Sequence, residues 1–405
     1  MSSPRTQYLT GLTRNTFLLA AGSFFADVST EMLYPILPIF LTQTLHANGS
    51  IIGLIEGVAQ ATQNIVQGLS GSLSDRLRKH KAIAMVGFVA AALAKPLFGL
   101  AVAWEGVLGA RLLDRIGTGT RSAPRDALVA ESVDEQNRGK AFGLEGFGDN
   151  AGAFLGPLLT IALLFGLRAD IRTIFFLAVI PGLLAFAMVA LVHERSAVVT
   201  AEATIDASPR RLPASYWKYL LVTMIFGLGN SSNSFLILQT RDIGASLPLT
   251  ILIYAAFNLM AALISYPAGS LSDRWGRKTL LLAAYLIFFV AYLGFAVSHS
   301  VAVIALAFAG YGLFQGMFRA VGKAFASDFA PTGLHASAVG WYNTTVGLLG
   351  LFASVVAGTL WDRVGHQAVF FYGAASAAAG CIALLALIAA PPDRSAGLGN
   401  DATVV

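Results

Sequence analysis

Long apolar runs, separated by short polar stretches, recur from one end of the chain to the other. Twelve of them fall near residues 15–41, 51–74, 82–102, 108–130, 141–166, 173–192, 216–240, 249–271, 280–297, 302–327, 336–361 and 367–391. A helix needs about 20 residues to cross the hydrocarbon of a bilayer, so each run predicts one membrane span. The longest polar stretch, His193 to Ser215, divides the spans six and six. It predicts an N-terminal six-helix bundle over 1–192, a linker over 193–215, and a C-terminal bundle with a short tail over 216–405. With both termini placed inside, the inner segments hold 15 Lys and Arg and the outer loops four: Arg168, Arg172, Arg241 and Arg363. That bias predicts cytoplasmic termini and a cytoplasmic linker.

Composition narrows the class. Only 12% of the 405 residues are charged and 56% are hydrophobic, against about 25% charged in soluble domains. A soluble enzyme and a disordered chain are both excluded. Twelve spans use roughly 240 residues, and the remainder is too small for an added soluble domain. The single cysteine, Cys381, allows no intrachain disulfide. The six histidines are scattered along the chain, so no metal centre is expected. The first residues, MSSPRTQYLT, lack the form of a cleaved signal peptide. The net charge of +5 reflects the inner loops and does not point to nucleic acid. No cofactor is expected, because no nucleotide-binding loop is present; GTGTRSA near Gly117 lies inside a span with no strand before it.

The two halves repeat each other. GSLSDR at Gly71 to Arg76 recurs at Gly269 to Arg274, and Arg121 and Arg125 match Arg319 and Lys323 at the same offset. Two repeated bundles with a ligand site between them form a transporter architecture.

GSLSDRWGRK, from Gly269 to Lys278, resembles the loop signature of the major facilitator superfamily, and GSLSDRLRKH resembles its first copy without the second glycine. Gly143, Gly152, Gly156 and Pro157 are similar to the fifth-helix motif of the drug/proton antiporters. Thr160 and Ile161 stand where that motif has its last two glycines. Packing of a neighbouring helix against small residues explains the same spacing. The fourth span, RLLDRIGTGTRSAPRDAL, resembles the same antiporters at Arg111 and a branch of bacterial permeases beyond it. The resemblance implies an all-α fold of twelve transmembrane helices in two pseudo-symmetric bundles. It implies a secondary transporter, not an enzyme, with export favoured over import.

Fourteen charges lie inside the spans: Asp27, Glu31, Glu56, Asp114, Asp126, Glu145 and Asp149, with Lys95, Arg111, Arg115, Arg121, Arg125, Arg319 and Lys323. A central charge facing lipid costs about 2.5–3.5 kcal/mol, so these groups must pair or face a watery cavity. Depth along the helices, at about 1.5 Å per residue, matches Glu31 with Arg111 and Asp27 with Arg115, and Asp114 adds a further partner. Asp27, then Glu31 and Asp149, are the expected proton carriers, with ion-pair packing alone as the competing role. Asp75, Arg76, Arg121, Arg125, Asp126, Asp273, Arg274, Arg319 and Lys323 are expected to form an inner gate, or else a basic ring for an anion. Asp75 and Asp273 would accept hydrogen bonds from a helix N-terminus of the opposite half. Asn230, Asn233, Gln239, Tyr254, Asn258, Gln315 and Tyr342 are cavity candidates. The resulting expectation is a monomer in a bacterial plasma membrane that exchanges a small molecule for protons by alternating access. An importer or uniporter of an anionic metabolite, a metal-ion exporter and a non-transporting sensor are the alternatives.

Overall fold

Thirteen residues into the chain, Thr13 caps the first helix: its side chain accepts from the Thr16 N–H, and the Thr16 hydroxyl answers the Thr13 N–H. From there the computed structural model, which describes residues 11–134, 137–194, 212–331 and 335–388, is helical nearly throughout. The columns are α1 (Arg14–Glu31, continued by Leu37–Ile39 and Phe40–Thr44), α2 (Gly49–Leu77), α3 (His80–Leu100), α4 (Trp104–Glu131), α5 (Arg138–Ile161, continued by Ala162–Gly166) and α6 (Ile171–Leu177 and Val179–Ala190). The second six are α7 (Ala214–Gly227, then Ser234–Asp242), α8 (Leu247–Trp275), α9 (Arg277–Val297), α10 (Val301–Asp328), α11 (His335–Arg363) and α12 (His366–Leu387). Most of the expected linker, residues 195–211, lies outside the described residues.

Eight of these columns, α3, α5, α6 and α8–α12, are long and apolar enough to cross a membrane. The other four depart for physical reasons. Spans α2 and α4 carry buried polar and charged groups. Spans α1 and α7 are broken midway, at residues 32–36 and 228–233. Pro35 has no N–H to give the helix ladder, and in α7 the polar run Asn230 to Asn233 takes the place of the turn. The two breaks are related by the repeat, and at their meeting point the Tyr34 hydroxyl lies 3.4 Å from the Ser232 hydroxyl of the other half. Large apolar side chains point outward from several columns, among them Leu93, Leu263, Val290, Leu306 and Ile382. Exposure on that scale suits lipid and not water.

The interiors of the halves differ although their topology repeats. The second half is filled by stacked rings, with Phe226 on Tyr285 at 4.0 Å and Phe288 on Tyr292 at 3.9 Å between centroids. The first half buries ion pairs instead.

The halves meet along α2–α11 and α5–α8. The end where α1 begins is the near face, and the opposite end is the far face. On the far side, Gly53 and Gly57 of α2 lie against Ser354 and Leu351 of α11. On the near side, Gly68 of α2, Gly143 of α5, Gly269 of α8 and Gly340 of α11 all face open space. The seam is therefore closed at the far face and parted into a cleft at the near face.

The loop copies confirm the repeat in backbone terms. Gly276, φ +88°, joins α8 to α9, and Arg78, φ +52°, stands at the matching position between α2 and α3. An arginine with positive φ thus stands where the second copy has its glycine, a backbone region that side chains other than glycine rarely adopt.

Candidate functional site

Two charge clusters occupy the first half, and they differ in access. The inner one is dry. Lys95 Nζ of α3 lies 2.7 Å from Asp114 Oδ1 of α4, with the two side chains 2% and 0% exposed. The Lys95 ammonium also donates to the Thr30 hydroxyl at 3.2 Å. Arg111 pairs with Glu56 of α2 at 2.8 Å and approaches the second Asp114 oxygen at 3.6 Å. Arg115 approaches Asp114 at 3.6 Å and donates to Gln63 at 3.0 Å. The guanidinium of Arg111 also lies over the Tyr34 ring, 5.3 Å from its centre. The cluster thereby ties α2 and α3 to α4, and α3 to α1.

The second cluster borders the near-face cleft. Arg125 of α4 meets Glu145 at 2.8 Å, Asp126 at 2.9 Å and Asp149 at 3.4 Å. Ser23 of α1 accepts from Arg125 and donates to Glu145 at 2.7 Å. Arg121 reaches Asp27 at 3.7 Å and stacks over Phe88, 4.8 Å from the ring centre. Two of its buried nitrogens, Nε and Nη1, have no hydrogen-bond partner. The side chains of Asp27 and Asp149 are 27% and 35% exposed, which the dry cluster is not.

Glu31 occupies a third setting, between the halves. It accepts from the Tyr254 hydroxyl at 2.9 Å and from the Asn258 amide at 3.5 Å, both on α8. Asn258 also donates to the Ala153 carbonyl of α5 at 3.1 Å. Tyr34 stacks on Tyr254, with centres 5.4 Å apart. Beside them, the Tyr311 hydroxyl donates to Asn233 at 2.8 Å and lies 3.4 Å from Asn230.

Several expectations are corrected by these distances. Glu31 does not pair with Arg111, which takes Glu56; Asp27 does not pair with Arg115, which takes Asp114 and Gln63. Depth matched only in part, since Asp27 meets Arg121 and not Arg115, and the direction around the helix did not match: Arg111 points to α2, whereas Glu31 points to α8. Glu56, Lys95 and Glu145 are site residues that the assignments from sequence omitted, although each is a charge within a span. Gln239 is not a cavity residue, since it is packed in the second half and donates to the Phe295 carbonyl. Tyr342 is likewise buried, stacked on Tyr219. Gln315 is half-buried on α10.

The expected gate is not assembled in this state. Arg121 and Arg125 keep their ion pairs within the first half. Asp328 pairs with Arg277 at 3.1 Å, and Glu131 lies 3.4 Å from His80. Arg319 and Lys323 are exposed, and among the described residues no ion pair reaches them. Arg76 and Arg274 are exposed; the side chains of Asp75 and Asp273 lie outside the described residues.

The glycine motif of α5 is in place, with one shift. A Cβ at Gly152 would collide with the Phe24 carbonyl of α1, and one at Gly156 would sit 2.9 Å from Glu31 Cβ. Gly148 makes the third such contact, at the Ala20 carbonyl, whereas Gly143 faces open space. The packing stripe is therefore Gly148, Gly152 and Gly156, spaced by four. It presses α5 onto the face of α1 that carries Asp27 and Glu31. Pro157 lies in the same helix, just past the stripe.

Two helical halves, apolar outer surfaces and a polar cleft between them define a multi-pass membrane transporter. The chain belongs to the Major Facilitator Superfamily, whose profile matches residues 19–221 and 219–403. It is 34% identical over 369 residues to the MFS-type transporter MJ1317 of Methanocaldococcus jannaschii, covering 89% of this chain and 92% of that one. It is 25% identical over 370 residues to a probable 4-methylmuconolactone transporter of Cupriavidus pinatubonensis, covering 87% and 85%. With the quinolone resistance protein NorA of Staphylococcus aureus it shares 25% over 228 residues, 55% of this chain and 57% of NorA. Among solved structures, a point mutant of the nucleoside transporter NupG superposes with a TM-score of 0.78 at 14% identity, over 93% of this chain and all of NupG.

Proposed function

We propose that the protein exports a small molecule in exchange for protons, by alternating access, from a bacterial plasma membrane with both termini cytoplasmic. The near-face cleft is then the cytoplasmic opening, and the structure is the inward-facing state. One observation carries the reading: Asp27 is partly exposed to the cleft and sits beside an arginine with two unsatisfied donors. A carboxylate between apolar walls and a cation releases or takes a proton when the cation moves. Substrate that enters the cleft and disturbs Asp27–Arg121 therefore competes with the proton. Glu31 lies one helical turn further along α1 and bonds to α8 of the other half, so a change at Asp27 is passed along a rigid turn to the seam between the halves. Asp149, through the shared Arg125, is the second proton-exchanging group. The dry Lys95–Asp114 and Arg111–Glu56 pairs hold the first half together while it rocks.

The test uses everted vesicles energised to an acid interior, a pH-sensitive dye, and a panel of cationic, neutral and anionic compounds. One class should release protons with the wild type and not with Asp27→Asn. If nothing in the panel moves protons, antiport is wrong.

A second reading is supported by Arg319 and Lys323, exposed basic groups on a cleft wall: import or uniport of an anionic metabolite. Uptake of labelled organic anions by the wild type, lost in Arg319→Ala, would favour it.

A further inference from the structure

At the far face, an acid of one half is bonded to the start of a helix of the other. Asp362, on the last turn of α11, accepts from the Gly49 N–H at 2.8 Å, the Ser50 N–H at 2.7 Å and the Ser50 hydroxyl at 2.5 Å. The first N–H groups of a helix have no partner in their own ladder and carry the positive end of its dipole. A carboxylate is the complementary group. The approach depends on glycine: a Cβ at Gly49 would sit 2.7 Å from Trp361 Cδ1 and 2.9 Å from Asp362 Oδ1. Trp361 is in turn held by stacking on His366, 3.9 Å between ring centres.

The sequence around Asp362 is itself a third copy of the loop motif. Gly358-Thr-Leu360-Trp-Asp362-Arg363-Val-Gly365 repeats the Gly, Leu, Asp, Arg and Gly of GSLSDRWG at the same spacing. Its final glycine, Gly365, has φ +133°, as Gly276 has φ +88°. The copies at the ends of α2 and α8 lie at the near face, and this one lies at the far face.

The register of the seam explains the placement. Gly49 meets Asp362, Gly53 meets Ser354, Gly57 meets Leu351, and Asn64 meets Gly347. Each step inward along α2 is a step back along α11, so the helices are antiparallel. The end of each then faces the start of the other. The same register carried to the near face brings position 75, in the first motif copy, level with the start of α11 at His335. There the helices have parted, with open space at Gly68 and Gly340.

We propose that Asp362 is the gate residue of the far face: the third copy of the loop motif latches α11 onto the N-terminus of α2 and holds the far end of the transporter shut. The two helices belong to different halves and must separate here when the far face opens. A bond made in only one of two states shifts the balance between them, and every bond of Asp362 to α2 is of that kind. The inference rests on alternating access and not on the direction of transport or the coupling ion.

The experiment compares thiol-labelling rates of two single-cysteine reporters in a Cys381→Ser background, with N-ethylmaleimide as probe on the purified, reconstituted protein. Ser354→Cys reports on the closed seam, and Lys323→Cys on the open cleft. Adding Asp362→Asn should raise labelling at 354 by several-fold and lower it at 323, because opening the far face closes the near one. Asp362→Glu should return both rates toward the parent values. Should Asp362→Asn fail to fold, Ser50→Ala, which removes one donor only, should move both rates the same way by less. Unchanged rates overturn the proposal. A rise at both positions also overturns it, since that marks loosened packing and not a shifted equilibrium.

Discussion

Lys95 is a charge buried inside the first half, away from the cleft. Its ammonium is held by Asp114 and Thr30 in a setting with almost no solvent access. Removing one partner of such a pair leaves an uncompensated buried charge, at about 3–5 kcal/mol, whereas replacing both by apolar groups is often near neutral. Lys95→Ala should therefore lower the thermal stability of the purified protein sharply, and Asp114→Leu should lower it further, because Asp114 also faces Arg111 and Arg115. A melting curve unchanged in Lys95→Ala would show that the pair is not a source of stability. Asp27→Asn should behave in the opposite sense, with a normal melting curve and no proton exchange. Both acids are visible in the sequence as charges inside spans. Their different roles are not, because exposure depends on which neighbour covers each side chain.

The α1–α5 pair shows the same division at the level of elements. The sequence marks α5 as a glycine helix, and small residues at four-residue spacing predict close packing. The structure moves the stripe to Gly148, Gly152 and Gly156 and leaves Gly143 in open space. Gly152→Leu should abolish folded protein in a size-exclusion assay, since its side chain would drive into the backbone of α1. Gly143→Leu should be recovered at wild-type yield. If both variants behave alike, the stripe is not the contact that matters. The breaks in α1 and α7 were only half legible: Pro35 signals the first, while the second is a polar run that reads equally well as a cavity lining.

For the whole molecule, the proposed cycle requires bonds that exist in one state and not the other. In that cycle the part falls to Glu31 with Tyr254 and Asn258 between the halves, and to Asp362 at the far face. Hydrogen bonds to a charged group are worth about 1.5–3 kcal/mol, enough to change a two-state population by tenfold or more. Glu31→Gln should keep the fold, as judged by its melting curve, and slow transport about tenfold in reconstituted vesicles. A transport rate equal to the wild type would show that this contact does not govern the cycle.

Twelve apolar runs, a duplicated loop motif and fourteen intramembrane charges are properties of the chain read in one dimension. From them alone came the membrane class, the two-half architecture and the family resemblance, because span length and periodic apolarity are imposed by the bilayer whatever the neighbours. Depth within the membrane was legible only in part, since Asp27 took Arg121 in place of Arg115. The partner of each charge was not. Arg111 took Glu56 and Glu31 took Tyr254 because pairing depends on the direction a side chain leaves its helix and on which helix packs there. Only the tertiary structure sets those two quantities, and it alone decided which acids stay dry, which face the cleft, and which end of the protein is shut.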